Sequence, residues 1–152
     1  MTTERPSFPS LGRLAGCLMG LTGLLGLLVV GCQREPPLVP VSGKLTLAGK
    51  PLSPARVQFV PDRSKGNVHG QEARGRVAAD GTYTLSTGNR PGAMPGWYIV
   101  AVFAFEEVPE GGEPKPITWL APPRYADPAQ SGLSVEVTAQ PKPNQYDFDL
   151  KP

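Results

Sequence analysis

Few side chains in this sequence are equipped for chemistry, and they fall into four groups. The two cysteines of the chain, Cys17 and Cys32, lie within "LAGCLMGLTGLLGLLVVGC", one near each end of an apolar run, where a thiol could carry a lipid. The single histidine, His69, sits in the polar stretch "KGNVHGQEA". General acid–base work needs a positioned partner for the imidazole and none stands nearby, so His69 reads as a surface loop residue. Lys44 with Glu136, Asp147 or Asp149 could close an isopeptide cross-link, a reaction that wants a buried, neutral lysine. Alternation in the flanking segments turns these four side chains outward, which favours solvated cross-strand pairs instead. Asp147 and Asp149 make a thin calcium site, since that ion takes about 6–8 oxygens, and no metal or other cofactor is expected. Trp97, Tyr98, Trp119 and Tyr125 could stack on sugar rings, although aromatics of such domains more often fill the core. Trp119, beside an acidic stretch in "KPITWLAPPRY", is the expected exposed ring, and Trp119 with Tyr125 form the candidate ligand-binding pair.

The position of the two thiols separates them. No charge occurs from Leu14 to Gly31, while Arg5 and Arg13 precede that run. A basic head, an apolar core and a small-residue exit form the pattern of a secretory signal. Cys17 has a suitable "LAG" before it but no apolar lead-in, because Arg13 is so close. Cys32 has the whole apolar run ahead of it and Val29, Val30 and Gly31 at the preceding positions. This resembles the lipobox of bacterial lipoproteins. That resemblance implies a diacylglyceryl group with palmitate-type chains on Cys32 and cleavage that leaves this cysteine first. The alternative is an uncleaved transmembrane anchor, since about 17–25 apolar residues can span a bilayer. Five glycines (Gly16, Gly20, Gly23, Gly26, Gly31) weaken such a helix, each by roughly 1 kcal/mol against alanine. Either way, the arginines hold the amino terminus inside and residues 33–152 are expected outside the cytoplasm, in the cell envelope. Acyl chains contribute about 0.8 kcal/mol per buried CH₂, enough for stable attachment when there are two or more. With Cys17 removed and Cys32 acylated, no disulfide is expected to assist folding.

Composition narrows the remaining possibilities. Of 152 residues, 19 are proline and 18 glycine, a mix that favours a loop-rich β domain over a helical one. The net charge is +2. Beyond residue 31, thirteen basic side chains face twelve acidic ones, which supplies no footprint for nucleic acid.

The elements that must position these side chains read as strands. After a short tether at 32–37, a single domain is expected over 38–152. In "VSGKLTLAGKPL", Val41, Gly43, Leu45 and Leu47 alternate with polar or small neighbours, the period of a half-buried strand. Gly49 gives a tight turn, and "ARVQFV" continues as a second strand. "ARGRVAADGTYTLST" predicts a hairpin with Asp80-Gly81 in a type I′ turn. "WYIVAVFAF" (97–105) is apolar on both faces, as expected of a central strand covered on both sides. "LSVEVT" and "YDFDL" alternate again. The sum is an all-β sandwich of about seven strands, Ig-like in size. The segment "EEVPEGGEPKP" (106–116) interrupts it and predicts a solvated, flexible loop.

The ordered series "VSGKLTLAGKPLSPARVQFVP", "AADGTYTLST", "GAMPGWYIVAV", "PPRYADPAQSGLSVEV" and "YDFDL" resembles small lipoproteins, abundant in planctomycete bacteria, that carry a carboxypeptidase-regulatory-like domain. That resemblance implies a transthyretin-like (prealbumin-like) fold and a non-catalytic docking, folding or structural module that meets other envelope proteins. "AQPKPNQ" departs from the short turn that such relatives place before the last strand. Ring-opening hydrolases of this fold use several histidines and arginines and a distinctive carboxyl-terminal tetrapeptide. One histidine and the ending "DLKP" do not match them, so no enzyme activity is expected. The alternative to docking is carbohydrate binding through Trp119, Tyr125 and their neighbours.

Overall fold

The structure, a computed structural model, describes residues 37–106 and 116–152. The expected signal segment 1–31, both cysteines, the tether up to residue 36 and residues 107–115 of the acidic stretch lie outside the described residues.

Period-two patterning produces strands throughout. β1 (Ser42–Leu47), β3 (Ala55–Pro61), β4 (Ala73–Val77) and β8 (Gly96–Phe103) are the longest. Between and after them come β2 (Lys50–Pro51), β5 (Thr82–Thr84), β6 (Ser86–Thr87), β7 (Arg90–Pro91), β9 (Ser134–Val137) and β10 (Phe148–Leu150). Two short 3₁₀ turns, Arg63–Lys65 and Pro123–Ala126, are the only helical pieces among the described residues. The fold is all-β, as the alternation predicts. Seven strands lie on one hydrogen-bonded path, β10-β1-β5-β4-β3-β8-β9, with β2, β6 and β7 off it. Every pairing is antiparallel except β1 with β10, which is parallel.

The sheet curls back over itself. Phe59 on β3 stands four places from β10 along the path, yet its ring packs 6.2 Å from Phe148 and 6.4 Å from Tyr146. β1 makes the corner: Ser42–Lys44 pair with β5, whereas Leu45–Leu47 pair with β10. A strand that passes from one layer to the next is the usual way to turn such a corner. The inner faces then close over Leu45, Val57, Phe59, Leu85, Tyr98 and Leu150, each 0–1% exposed. Burial of a side chain of this kind contributes about 1.5–3 kcal/mol.

Gly43 explains the tightness of the corner. It lies opposite Tyr83 in the β1–β5 register, and a Cβ there would sit 2.1 Å from the Tyr146 carbonyl oxygen. The gap lets the buried Tyr83 hydroxyl donate to that carbonyl. Burial, the Asp147 charge and Tyr146 all push the Tyr83 phenol well above its ordinary range, so it stays a donor.

Three expectations need correction. First, the Asp80-Gly81 turn is not type I′, because only Gly81 has a positive φ (84°) there. The Ala78 amide donates to the Thr82 carbonyl at 2.8 Å and the Gly81 amide to the Ala78 carbonyl at 2.9 Å. That is a three-residue loop ending on a left-handed glycine. The type I′ signature falls instead on Ala48-Gly49 (φ 49° and 77°), between the paired Leu47 and Lys50. Second, β8 is central but unevenly covered: Tyr98, Val100 and Val102 are buried, while on the other face Ala101 is buried and Trp97, Ile99 and Phe103 are half-buried. Third, the "AQPKPNQ" segment does not close a terminal hairpin. β9 pairs with β8 and β10 with β1, so the connection crosses from one edge of the path to the other. Its two prolines, Pro141 and Pro143, and Asn144 at φ 57° suit an irregular crossing.

Candidate functional site

The two aromatic candidates have different surroundings. Trp119 forms an antiparallel bridge with Phe105, flanked by bonds from the Glu106 amide to Thr118 O (2.9 Å) and from the Leu120 amide to Ala104 O (2.9 Å). Its ring meets Phe105 edge-on, centroids 5.9 Å apart, and remains 37% exposed beside Ile117 at 62%. Tyr125 stands in the Pro123–Ala126 turn and is only 7% exposed. Its hydroxyl donates to the Lys151 carbonyl (3.2 Å) and accepts from the Lys151 amide (3.1 Å). The Arg124 guanidinium lies 4.8 Å over the ring. The Lys151 amide, and after it Arg124, hold the phenol below its usual range. Tyr125 is thus a clamp on the last residues and presents no open ring face, which leaves Trp119 as the exposed member of the pair.

The polar candidates serve β1 and β10. Asp147 Oδ1 accepts the Lys44 backbone amide at 2.8 Å, while the Lys44 side chain is exposed. Asp149 Oδ1 accepts the Gly49 amide and the Thr46 hydroxyl, both at 2.8 Å, and Oδ2 pairs with Lys151 Nζ. Lys151 first, then Gly49 and Thr46, bring the Asp149 carboxyl down to about 2. Glu136 is exposed on β9 opposite Trp97. His69 is exposed in the loop after the Asp62-capped turn. Among the described residues, no three of His, Cys, Asp and Glu come together as metal ligands would.

Sequence reasoning did not find an open cleft of about 640 Å³. Its floor is the outward side of the corner: Ser42 and Lys44 of β1, Thr82 and Thr84 of β5, and Arg76 of β4. Cross-strand register aligns them, Ser42 against Thr84 and Lys44 against Thr82. The wall is the 141–147 crossing, including Lys142, Gln145 and Asp147. Gln145 fixes that wall, since its Nε2 donates to Glu136 O at 2.6 Å and its Oε1 accepts the Lys142 amide at 2.8 Å. The outward positions are readable from the alternation in "SGKLTL" and "GTYTL". The wall is not, because nothing local shows that the last strand returns beside the first.

On the opposite flank, the outer row of β8 is partly screened by Lys65, whose Nζ lies 4.1 Å over the Trp97 ring and bonds Ser134 Oγ at 2.9 Å. Phe103 and Phe105 border a small depression with Arg56 and Arg76.

No protein-family model, no curated protein and no solved structure matches this chain.

Proposed function

We propose that the protein is a membrane-anchored, extracytoplasmic lipoprotein, acylated at Cys32, whose β domain serves the cell envelope as a docking or structural module. The resemblance to carboxypeptidase-regulatory-like, transthyretin-like domains belongs to this reading. What carries it is "LVVGC" at the end of the uncharged run Leu14–Gly31, with folded structure starting soon after. Val39 already bridges Ala93, its amide 2.8 Å from the Ala93 carbonyl oxygen. The seven Cα–Cα steps from Cys32 to Val39 reach at most about 25 Å, so an acylated Cys32 keeps the domain close to the bilayer. Ile117 and Trp119 support docking, being an aliphatic and an aromatic side chain exposed side by side, the kind of anchor that protein interfaces use.

The anchor is tested by labelling cells with an alkyne fatty acid. Cys32→Ser abolishes incorporation and Cys17→Ser leaves it intact; the reverse result overturns the assignment. Docking is tested with a photo-cross-linking residue at position 117, which captures a defined envelope protein that Trp119→Ala releases.

Carbohydrate binding is the second reading, favoured by the fixed, accessible ring of Trp119. It loses Tyr125 as a stacking partner. A glycan screen in which Trp119→Ala changes nothing removes Trp119 from that reading as well.

A further inference from the structure

We propose that a second cleft, on the outer face of β8 and β9, binds a neutral oligosaccharide of gluco-configured pyranoses, with Trp97 as its stacking platform. The cleft has a volume of about 700 Å³, within the range of small-molecule sites. Its floor is the β8–β9 ladder, where Trp97 lies directly opposite Glu136. Such cross-strand neighbours have Cβ atoms about 4.5–5.5 Å apart, so a carboxylate stands beside the indole. Its wall is the start of the crossing, with Thr138, Gln140, Lys142 and Gln145.

The ring is set in place before any ligand arrives. The Trp97 carbonyl accepts the Asp62 amide at 2.9 Å and Asn67 Nδ2 at 2.8 Å, which fixes the backbone beneath it. Lys65 Nζ lies 4.1 Å from the ring centroid and is itself held by Ser134 Oγ at 2.9 Å. Lys65 does not line the cleft, so Trp97 turns towards it the side that the ammonium leaves free. A ring already ordered loses little freedom on binding, and that freedom is a main cost of association.

The lining selects a neutral sugar. Among the described residues, its charged side chains are one carboxylate, Glu136, and one ammonium, Lys142, and neither is in an ion pair. Glu136 repels an anionic ligand at the ring itself, whereas sugar hydroxyls donate to it in charge-assisted bonds. Lys142 donates in return, and Thr138 and Gln140 both donate and accept, as hydroxyl partners require. Gln145 is committed to Glu136 O and the Lys142 amide, and so keeps the wall in position. An apolar peptide would instead bury the Glu136 carboxylate unpaired, which is costly. Gluco-configured rings suit the indole because their ring hydroxyls are equatorial, so each face offers only C–H groups to the negative π-face. The site is separate from Trp119, and the inference does not depend on acylation.

The test uses the full chain carrying Trp119→Phe, which leaves Trp97 as its one tryptophan, in a detergent without a sugar headgroup. Cellotriose at millimolar concentration is expected to shift the Trp97 emission saturably. Sorbitol, which has hydroxyls but no ring face, leaves that emission unchanged. This readout needs no change at the site, so it holds whatever Trp97→Ala does to folding. In calorimetric titration, Trp97→Ala weakens cellotriose about tenfold and Glu136→Gln about threefold, through loss of stacking and of a charge-assisted bond. Trp119→Ala and Cys32→Ser do not weaken it. No emission change, an equal change with sorbitol, or unaltered affinity in Glu136→Gln overturns the proposal. So does tighter binding of trigalacturonate than of cellotriose, or loss of cellotriose binding in Trp119→Ala. Absent fatty-acid labelling with cellotriose binding intact supports the site and counts against the lipoprotein reading alone.

Discussion

The β3–β8 and β1–β10 pairs hold the same curled sheet together by different physics. β3 and β8 run antiparallel through six paired positions, from Arg56↔Phe103 to Pro61↔Tyr98. Their inward side chains, Val57, Phe59, Tyr98, Val100 and Val102, are 0–1% exposed. β1 and β10 are parallel over three positions only. What the short ladder lacks is supplied by side chains bonding to backbone: Asp147 to the Lys44 amide, Asp149 to the Gly49 amide, and Tyr83 to the Tyr146 carbonyl. The first junction is held by apolar area, which is indifferent to pH. The second is held by oriented polar groups, and one of them, the Asp149 carboxyl, is held down to about 2 by Lys151, Gly49 and Thr46.

Substitutions can break this contrast, and they rank by size. Phe59→Ala removes the ring shared with Tyr98, Tyr146 and Phe148. It is expected to cost about 3–5 kcal/mol, read as a lower urea midpoint, with the same loss at pH 4 and pH 7. Gly43→Ala forces a methyl onto the Tyr146 carbonyl and should cost at least roughly 1–3 kcal/mol, as overpacking does. A midpoint unchanged from wild type would show that the corner is looser than its geometry. Tyr83→Phe leaves the buried Tyr146 carbonyl without that donor and should cost about 1–3 kcal/mol.

Ala48→Gly acts in the other direction. It relieves a left-handed alanine at φ 49° and is expected to add about 1 kcal/mol, seen as a raised melting temperature. The acid response is the smallest, because Asp149 is exposed. Its folded carboxyl lies near 2, against an ordinary value of 3.8. A depressed carboxyl stabilises the fold above about pH 4 and stops doing so as pH falls towards 2. Melting temperature should therefore decline across that window, and Asp149→Asn should flatten the decline. In hydrogen exchange, the β10 amides are expected to lose protection before those of β3 and β8.

The legible parts of the fold were those written locally. Period two in "SGKLTL", "ARVQFV" and "SVEV" gives both the strands and the side that each residue faces. The "DG" signal was ambiguous, since it suits a two-residue type I′ turn and a three-residue loop alike, and the second is what forms. Ala48 carries no sequence sign of a positive φ. Asp149 and the Leu150 carbonyl, about a hundred positions on, bond the Gly49 and Ala48 amides and hold that turn. Trp119's exposure could be read from its polar neighbourhood, whereas Tyr125's burial depends on Lys151, 26 positions later. The cleft was hidden for the same reason, because its wall exists only once β10 has returned to β1.

That return imposes an order on synthesis. The segment that begins the domain waits for a partner 103 positions further along the chain. A growing chain can assemble β3, β4 and β8 early, but half of β1 keeps a bare edge until Phe148–Leu150 arrive. Bare edges invite pairing with other chains, so the interval between the first strand's emergence and the last strand's arrival is when this protein is most exposed to aggregation. A permuted chain that carries β10 ahead of β1, joined by the crossover that a parallel pair needs, would close that interval.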